Sequence, residues 1–147
     1  GFTFDPQATA TNLIAWVSHG VPDLSGSAPD WEGKISRLTG ANLQTERLVV
    51  NNLPRSVRDH LTNSIAFRPG EPNALYFLQG SNSAGGAPDN SWGNRPEQLL
   101  SAALLKLDLT KLPESAWPLD ARTTQNQALI NAAPANNIRL SDGTYNP

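Results

Sequence analysis

The chain has 147 residues, of which 38 % are hydrophobic and 16 % charged, against about 45–50 % and about 25 % in average globular proteins. Its 11 glycines and 12 prolines favour short elements joined by turns. The lack of cysteine excludes disulfides and thiolate chemistry, the net charge of −2 without a basic patch argues against a nucleic-acid partner, and no apolar run approaches the roughly 20 residues of a membrane span.

The first third of the chain predicts a β unit at residues 1–54. Phe2 and Phe4 alternate with small or polar residues, which is the period of a strand, and Asp5-Pro6 then begins a turn. Further short apolar runs follow, separated by segments rich in glycine, proline and serine: 12–20, 33–40 and 44–53. Short strands at such spacing are typical of an antiparallel sheet.

A second unit at residues 64–109 repeats the first. SIAFRP matches the opening GFTFDP, NALYFLQG matches NLIAWVSHG, and SAALLKLDL takes the place of GKISRLTG, with a spacing of 63 residues from Phe4 to Phe67. Repeated units of four short strands, lengthened by loop insertions, are the signature of β-propeller blades. We therefore expect an all-β fold: a partial β-propeller of two or three blades of four-stranded antiparallel sheets, with short helical insertions.

Residues 96–107 fit either a helix or a strand. Their apolar positions have helical spacing, and Pro96 and Glu97 suit a first turn, whereas the repeat makes the second half a strand. Both readings hold if a helical turn near 97–100 precedes a strand at 103–109. The weakly patterned residues 110–147 predict an irregular insertion or linker to a next blade, with a short helix at 121–133.

The two histidines are the first candidate site residues. His60 follows Asp59 and precedes a predicted strand, and a carboxylate beside an imidazole can hold its tautomer and stabilise its charged form. The pair therefore indicates a general base, with a surface-loop histidine as the alternative. His19 is a weak metal candidate because no acidic triad accompanies it, and no metal site is predicted.

A polar, glycine-rich loop at residues 80–86 is the second candidate. GSNSAGG lacks the Lys-Ser/Thr ending of a P-loop and does not open a helix as GxGxxG does. The side chains of Ser81 and Asn82 either reach a polar ligand or belong to a flexible loop. Trp92 lies among acidic, amide and basic residues, a mixture that binds sugars because rings stack on CH faces while polar groups bind hydroxyls.

Taken together, residues 48–86 resemble the glucose/sorbosone dehydrogenases, six-bladed β-propellers that use pyrroloquinoline quinone (PQQ) and calcium. The resemblance is carried by Leu53-Pro54 before a short loop, the Asp59-His60 pair, a strand with a Pro turn at 64–69, and Leu75-Tyr76 leading to Gly80. It extends over about residues 1–109.

The resemblance implies roles for the candidate residues. His60 would be the base that takes the hydroxyl proton as hydride moves from the sugar to the quinone, and Asp59 would contact the sugar and orient the site. Asn82 stands where the family has a glutamine that contacts sugar, and Ser81 stands where it has an aspartate. These departures leave the substrate open. On composition, Trp92 is a further substrate-binding candidate.

The resemblance also implies what lies elsewhere. The residues that bind PQQ and calcium are expected beyond residue 147, so the chain would be a piece of a larger propeller, holding no cofactor and inactive by itself. Its expected partners are a sugar or polyol and the remainder of the propeller, in an extracellular or periplasmic location. Two alternatives stay open: a non-catalytic propeller module that binds glycans or protein partners in a secreted multi-domain protein, and a purely structural propeller module.

Overall fold

The computed structural model describes residues 1–21, 23, 29–55, 60–83, 89–95 and 97–124, together with the backbone of residues 138–139 and 145–146; at residue 92 it describes the backbone alone. Within that part of the chain the regular structure is almost entirely β. The strands are β1 (Phe2–Phe4), β2 (Ile14–His19), β3 (Trp31–Thr39), β4 (Thr45–Pro54), β5 (Thr62–Arg68), β6 (Glu71–Gln79), β7 (Ala103–Asp108), β8 (Leu119–Asp120), β9 (Ile138–Arg139) and β10 (Tyr145–Asn146). Two 3-10 turns cover Asn90–Trp92 and Glu114–Ala116.

The first sheet has the order β1-β2-β3-β4-β8. Its first four strands form an antiparallel meander, in which aromatic and β-branched residues such as Trp16, Ile35 and Val50 supply the buried positions. The short β8 joins the outer edge of β4 in parallel, with Leu119 opposite Val50. This pairing covers part of an edge that the meander leaves open.

The second sheet has the order β5-β6-β7 and is antiparallel throughout. Pro69 and Gly70 connect β5 to β6, and Gly70 has a φ of 85°, a left-handed conformation that glycine adopts without strain. A separate pair, β9 and β10, is also antiparallel. Among the described residues no strand pairs with the outer edge of β7, so this sheet has three strands where the repeat predicts four.

The two sheets contribute to one hydrophobic core. Trp16 is its largest fully buried side chain, and its ring lies edge-on to Phe67 and to Trp117, each with centroids 6.0 Å away. The indole N–H of Trp16 donates to Asp5 Oδ2 at 2.7 Å, which satisfies its polar atom. The remaining buried members come from both sheets and their connections: Ile35, Val49, Val50, Leu53, Ile65, Leu75, Phe77, Leu100, Leu107 and Ala121.

Polar contacts join the sheets at one end. Thr62 Oγ1 donates to Gln79 Oε1 at 2.7 Å, and Gln79 Nε2 donates to the carbonyl of Pro54 at the same distance. Gly33 fits here because a Cβ atom would lie only 2.7 Å from Thr62 Oγ1. We call this the His60 end of the sheets, because His60 lies two residues before Thr62.

A crossover returns the chain from the second sheet to the first. Residues 109–118 leave β7 and reach β8, and the Glu114 carboxylate binds both Arg37 and Arg47 on the way. Both guanidinium groups also lie 4.8 Å from the centroid of the Trp117 ring. Asn52 Nδ2 then donates to Asp120 Oδ1 at 3.0 Å. Charge and aromatic contacts therefore hold this connection against the first sheet.

Most predicted strands are present, and the all-β fold is confirmed. The strands of the meanders fall at residues 2–54 and 62–108, close to the two predicted units. The predicted strand in the ambiguous segment is present as β7, whereas residues 99–100 form a hydrogen-bonded turn and not the predicted helical turn. Residues 121–124 are not helical, and the rest of the predicted helix lies outside the described residues. That the units are propeller blades stays a prediction.

Candidate functional site around His60

The backbone of His60 packs against the end of β6. Gly80 N donates to Leu61 O at 3.0 Å, and a Cβ atom at Gly80 would lie 3.2 Å from His60 Cα. That separation is tighter than ordinary van der Waals contact, so the absence of a side chain at Gly80 permits the close approach. The close approach of Gly80 at the end of β6 therefore fixes the backbone position from which the His60 side chain projects.

The His60 ring contacts the residue that follows Gly80. Its Nδ1 lies 3.2 Å from the carbonyl oxygen of Ser81 and 3.0 Å from the Ser81 hydroxyl. The carbonyl oxygen can only accept, so this contact is a hydrogen bond when Nδ1 carries the proton, whereas the hydroxyl can accept from Nδ1–H or donate to an unprotonated Nδ1. Ser81, predicted from sequence as a substrate contact, is thus also a partner of the histidine.

The carboxylate of Glu97 binds the loop that contains Ser81. Its Oε2 accepts from Asn82 N at 2.9 Å, and its Oε1 accepts from Ser83 N at 3.0 Å and from Ser83 Oγ at 2.5 Å. The Ser101 hydroxyl donates to Oε2 as well. Burial raises the pKa of Glu97, but the hydrogen bonds from Asn82, Ser101 and Ser83 outweigh it, so that the pKa lies below its ordinary value.

Charged pairs surround the same end of the sheets. The buried Arg55 guanidinium lies 2.7 Å from the buried Glu32 carboxylate, and Lys34 lies 3.6 Å from Glu32. Arg95 Nε donates to Asp30 Oδ1 at 2.5 Å, and Asp30 O accepts from Arg55 N at 2.8 Å. These contacts tie the connection between β2 and β3 to the end of β4 and to the β6–β7 connection.

The structure describes only some of the other predicted site residues. Asp59 and the side chain of Trp92 lie outside the described residues. Asn82 is 1 % exposed, so its amide is shielded from solvent. The structure therefore brings His60 and Ser81 together, and the sugar contacts of Asn82, Asp59 and Trp92 stay predictions.

The second histidine belongs to a different cluster. His19 Nε2 lies 2.9 Å from Ser36 Oγ and 3.4 Å from Glu46 Oε1, while Ser36 Oγ donates to Glu46 at 2.7 Å. Ser36 is fully buried, so this arrangement links β2, β3 and β4 side by side. In the described segments no three His, Asp or Glu side chains are grouped as metal ligands would be.

A cleft of about 260 Å³ lies at the opposite end of the sheets. Asp5, Trp16 and Arg37 line it from the first sheet, and Glu114 and Trp117 line it from the crossover. The hydrogen bond from Arg37 is the main reason that the pKa of Glu114 lies below its ordinary value, against a smaller opposing effect of burial. None of the residues predicted from sequence as site residues lines this cleft.

Sequence reasoning missed Glu97 and the Glu32–Arg55 pair. Glu97 is assigned to a helical first turn by its place after Pro96, whereas its carboxylate binds residues 14 and 15 positions earlier. A single glutamate in a polar segment carries no signal for such a contact, because the contact depends on how the connection folds back. Glu32 and Arg55 are likewise distant in sequence and meet only through the register of β3 and β4.

No family model, no curated protein and no solved structure matches this chain. The resemblance to the glucose/sorbosone dehydrogenases therefore rests on the quoted residues alone. No helix in the described segments is long and apolar enough to cross a membrane.

Proposed function

We propose that His60 is the general base of a sugar- or polyol-oxidising site of the glucose/sorbosone dehydrogenase type, in a β-propeller to which this chain contributes two or three blades. One observation carries the proposal. Nδ1 of His60 contacts the Ser81 carbonyl at 3.2 Å, and in the tautomer in which Nδ1 donates to that carbonyl the lone pair of the ring is on Nε2. An imidazole in that tautomer can accept a proton from a hydroxyl group through Nε2.

The surroundings of His60 support this role. The ring stands at the rim of the sheets, on a backbone held by Gly80, and it is neither fully buried nor fully exposed. Ligand sites tend to lie where loops gather at the end of a rigid sheet. His60 would remove the hydroxyl proton of the substrate, while the hydride of the carbinol carbon would go to a quinone held by residues outside this site.

The described residues do not fit PQQ as its binding site. PQQ carries three carboxyl groups, so its site needs cationic donors. At the His60 end the described cations already contact carboxylates: Arg55 and Lys34 contact Glu32, and Arg95 contacts Asp30. The quinone, which serves as hydride acceptor in the family that the chain resembles, would have to be held by residues other than these.

The test is an oxidation assay on the full-length protein that carries this chain. The protein is supplied with PQQ and Ca²⁺ and tested on a panel of aldoses and polyols with an artificial electron acceptor. His60→Asn is the informative variant, because the shorter amide can donate to the Ser81 carbonyl in place of Nδ1 while Nε2 is removed. We expect kcat to fall by about 10²- to 10⁴-fold, the usual contribution of a general base.

His19→Asn is the matched control, since it removes the other histidine, which contacts Ser36 and Glu46. It should leave kcat unchanged. Circular dichroism of both variants should match the wild type. Full activity of the His60→Asn variant, or no oxidation of any substrate by wild-type protein with bound PQQ, would overturn the proposal.

A specific observation favours a second candidate, a propeller module that binds glycans without catalysis. The described cations at the His60 end are engaged with carboxylates, which disfavours the binding of a tricarboxylate such as PQQ and leaves sugar binding open. Such a module would bind a sugar and would not bind PQQ. Titration calorimetry with monosaccharides and, separately, with PQQ distinguishes the two functions.

A further inference from the structure

The connection between β6 and β7 is closed at its base. It runs from Gly80 to Ala102, and Ala102 N donates to Gly80 O at 3.1 Å. Next to this bond, the Glu97 carboxylate of the returning segment binds Asn82 and Ser83 of the outgoing segment. The carboxylate therefore fixes the two residues that directly follow Ser81, whose carbonyl and hydroxyl contact His60.

Both oxygens of Glu97 are needed for this contact. Oε2 accepts from Asn82 N at 2.9 Å, and Oε1 accepts from Ser83 N at 3.0 Å. Each oxygen also accepts from a serine hydroxyl, Ser101 for Oε2 and Ser83 for Oε1. A glutamine side chain has one oxygen and one NH₂ group, so in either orientation its NH₂ would face a backbone N–H. A carboxylate satisfies both sides, and the isosteric amide does not.

We propose that Glu97 is a positioning residue for His60: through the backbone of Asn82 and Ser83 it holds Ser81 against Nδ1 and thereby fixes the tautomer of the ring. The chain of contacts is continuous and short. Glu97 binds the N–H groups at positions 82 and 83, position 81 precedes them directly, and its carbonyl meets the histidine. The effect of Glu97 on catalysis rests on the proposed function, whereas its effect on the tautomer of His60 does not.

The test reads the tautomer directly. Long-range ¹⁵N–¹H correlation spectra of the whole chain, labelled at histidine, report which ring nitrogen of His60 carries the proton. We expect Nδ1–H in the wild type. In Glu97→Gln, where one backbone N–H loses its acceptor, we expect the Nε2–H form to increase, because neutral imidazole outside such a contact favours it. Glu71→Gln is the matched control: this carboxylate accepts from Tyr76 at the far end of β6 and should not change the His60 signals.

Turnover of the full-length protein gives the second readout. If His60 acts as the base, Glu97→Gln should lower kcat on the order of ten- to a hundredfold, less than the loss of the base itself, with a smaller change in KM.

A tautomer shift in a protein that oxidises no sugar supports the positioning role and rejects the proposed reaction. An unchanged Nδ1–H signal in a folded Glu97→Gln protein overturns the positioning role. If Glu97→Gln does not fold, Ser83→Ala, which removes only one hydroxyl donor from Oε1, should show the same shift to a lesser degree.

Discussion

The Arg55 guanidinium lies 2.7 Å from the Glu32 carboxylate, and both side chains are more than nine-tenths buried. Glu32 also accepts from Val21 N at 2.5 Å, and Arg55 donates to Val21 O. The ion pair therefore fixes the first residue after Gly20 in the long connection between β2 and β3. Two charges removed from water in this way depend on each other, because neither is well solvated by the protein alone.

We predict that Glu32→Gln lowers the free energy of unfolding by about 3–5 kcal/mol, because it removes the carboxylate charge that pairs with the buried Arg55 guanidinium. Urea unfolding followed by tryptophan fluorescence measures the change. The double variant Glu32→Gln/Arg55→Met should recover part of the loss, since it removes the second charge as well. Equal stabilities of the wild type and the single variant would show that solvent reaches the pair.

Gly80→Ala should destabilise the protein by about 1–3 kcal/mol, because the added Cβ would lie 3.1 Å from Leu61 N and 3.2 Å from His60 Cα. It should also move the imidazole NMR signals of His60. Gly70→Ala is the control, since its Cβ would meet nothing within 4 Å and only the left-handed φ of 85° opposes it. That strain costs about 1–2 kcal/mol and should leave the His60 signals in place.

Two leucines on neighbouring strands should respond very differently to truncation. Leu75 on β6 is fully buried, whereas Leu104 on β7 is 67 % exposed. Leu75→Ala is expected to cost about 2–5 kcal/mol through lost contacts and a cavity. Leu104→Ala should change the stability by less than about 0.5 kcal/mol. Thermal unfolding of both variants measures the contrast, and similar losses would mean that Leu104 is covered in solution.

The contribution of Glu97 to stability should disappear in acid. Burial raises the pKa of Glu97, whereas the hydrogen bonds from Asn82, Ser101 and Ser83 lower it. The hydrogen bonds have the larger combined effect, so the pKa lies below the ordinary value of 4.5. The folded state therefore binds fewer protons than the unfolded state in this range. The stabilisation is present above pH 4.5 and is lost as the pH falls through the folded-state pKa.

Urea midpoints of the wild type and of Glu97→Gln, measured from about pH 7 down to about pH 3, test this pH dependence. The wild type should be the more stable protein at neutral pH, and the two curves should converge in acid. A difference that stays constant across the whole range would show that the glutamine variant is destabilised by something other than the charge of Glu97.

Local patterns predicted the local parts of the fold. The run SIAFRPG predicted a strand followed by a turn, and β5 and its Pro69-Gly70 turn are there, because the alternation and the glycine act within a few residues. The match of SAALLKLDL to the first repeat predicted the strand that is observed as β7, although the apolar residues there have helical spacing. Strand β8 was not predicted. It has two residues, and its pairing with β4 depends on a crossover that no short pattern encodes.

For the candidate site, too, the sequence predicted which residues to select but not how they contact each other. His60 and Ser81 could be selected because an imidazole and a polar loop stand next to predicted strands, and the β5–β6 pairing does bring them together. Their relation as donor and acceptor could not be predicted, since it depends on side-chain and backbone geometry at the rim. Glu97 binds backbone N–H groups, which every residue but proline possesses. The types of the residues that it contacts therefore give no signal from which its role could be predicted.

The crossover has a consequence for the order in which the chain folds. Asn52 and Asp120 lie 68 positions apart, and all three strands of the second sheet lie between them. Closing so long a loop is entropically costly, and contacts of high sequence separation form late. During synthesis the outer edge of β4 is therefore exposed until the whole second sheet has emerged and the crossover has docked. In that interval the nascent chain presents an open strand edge, the kind of surface that other nascent chains or chaperones bind.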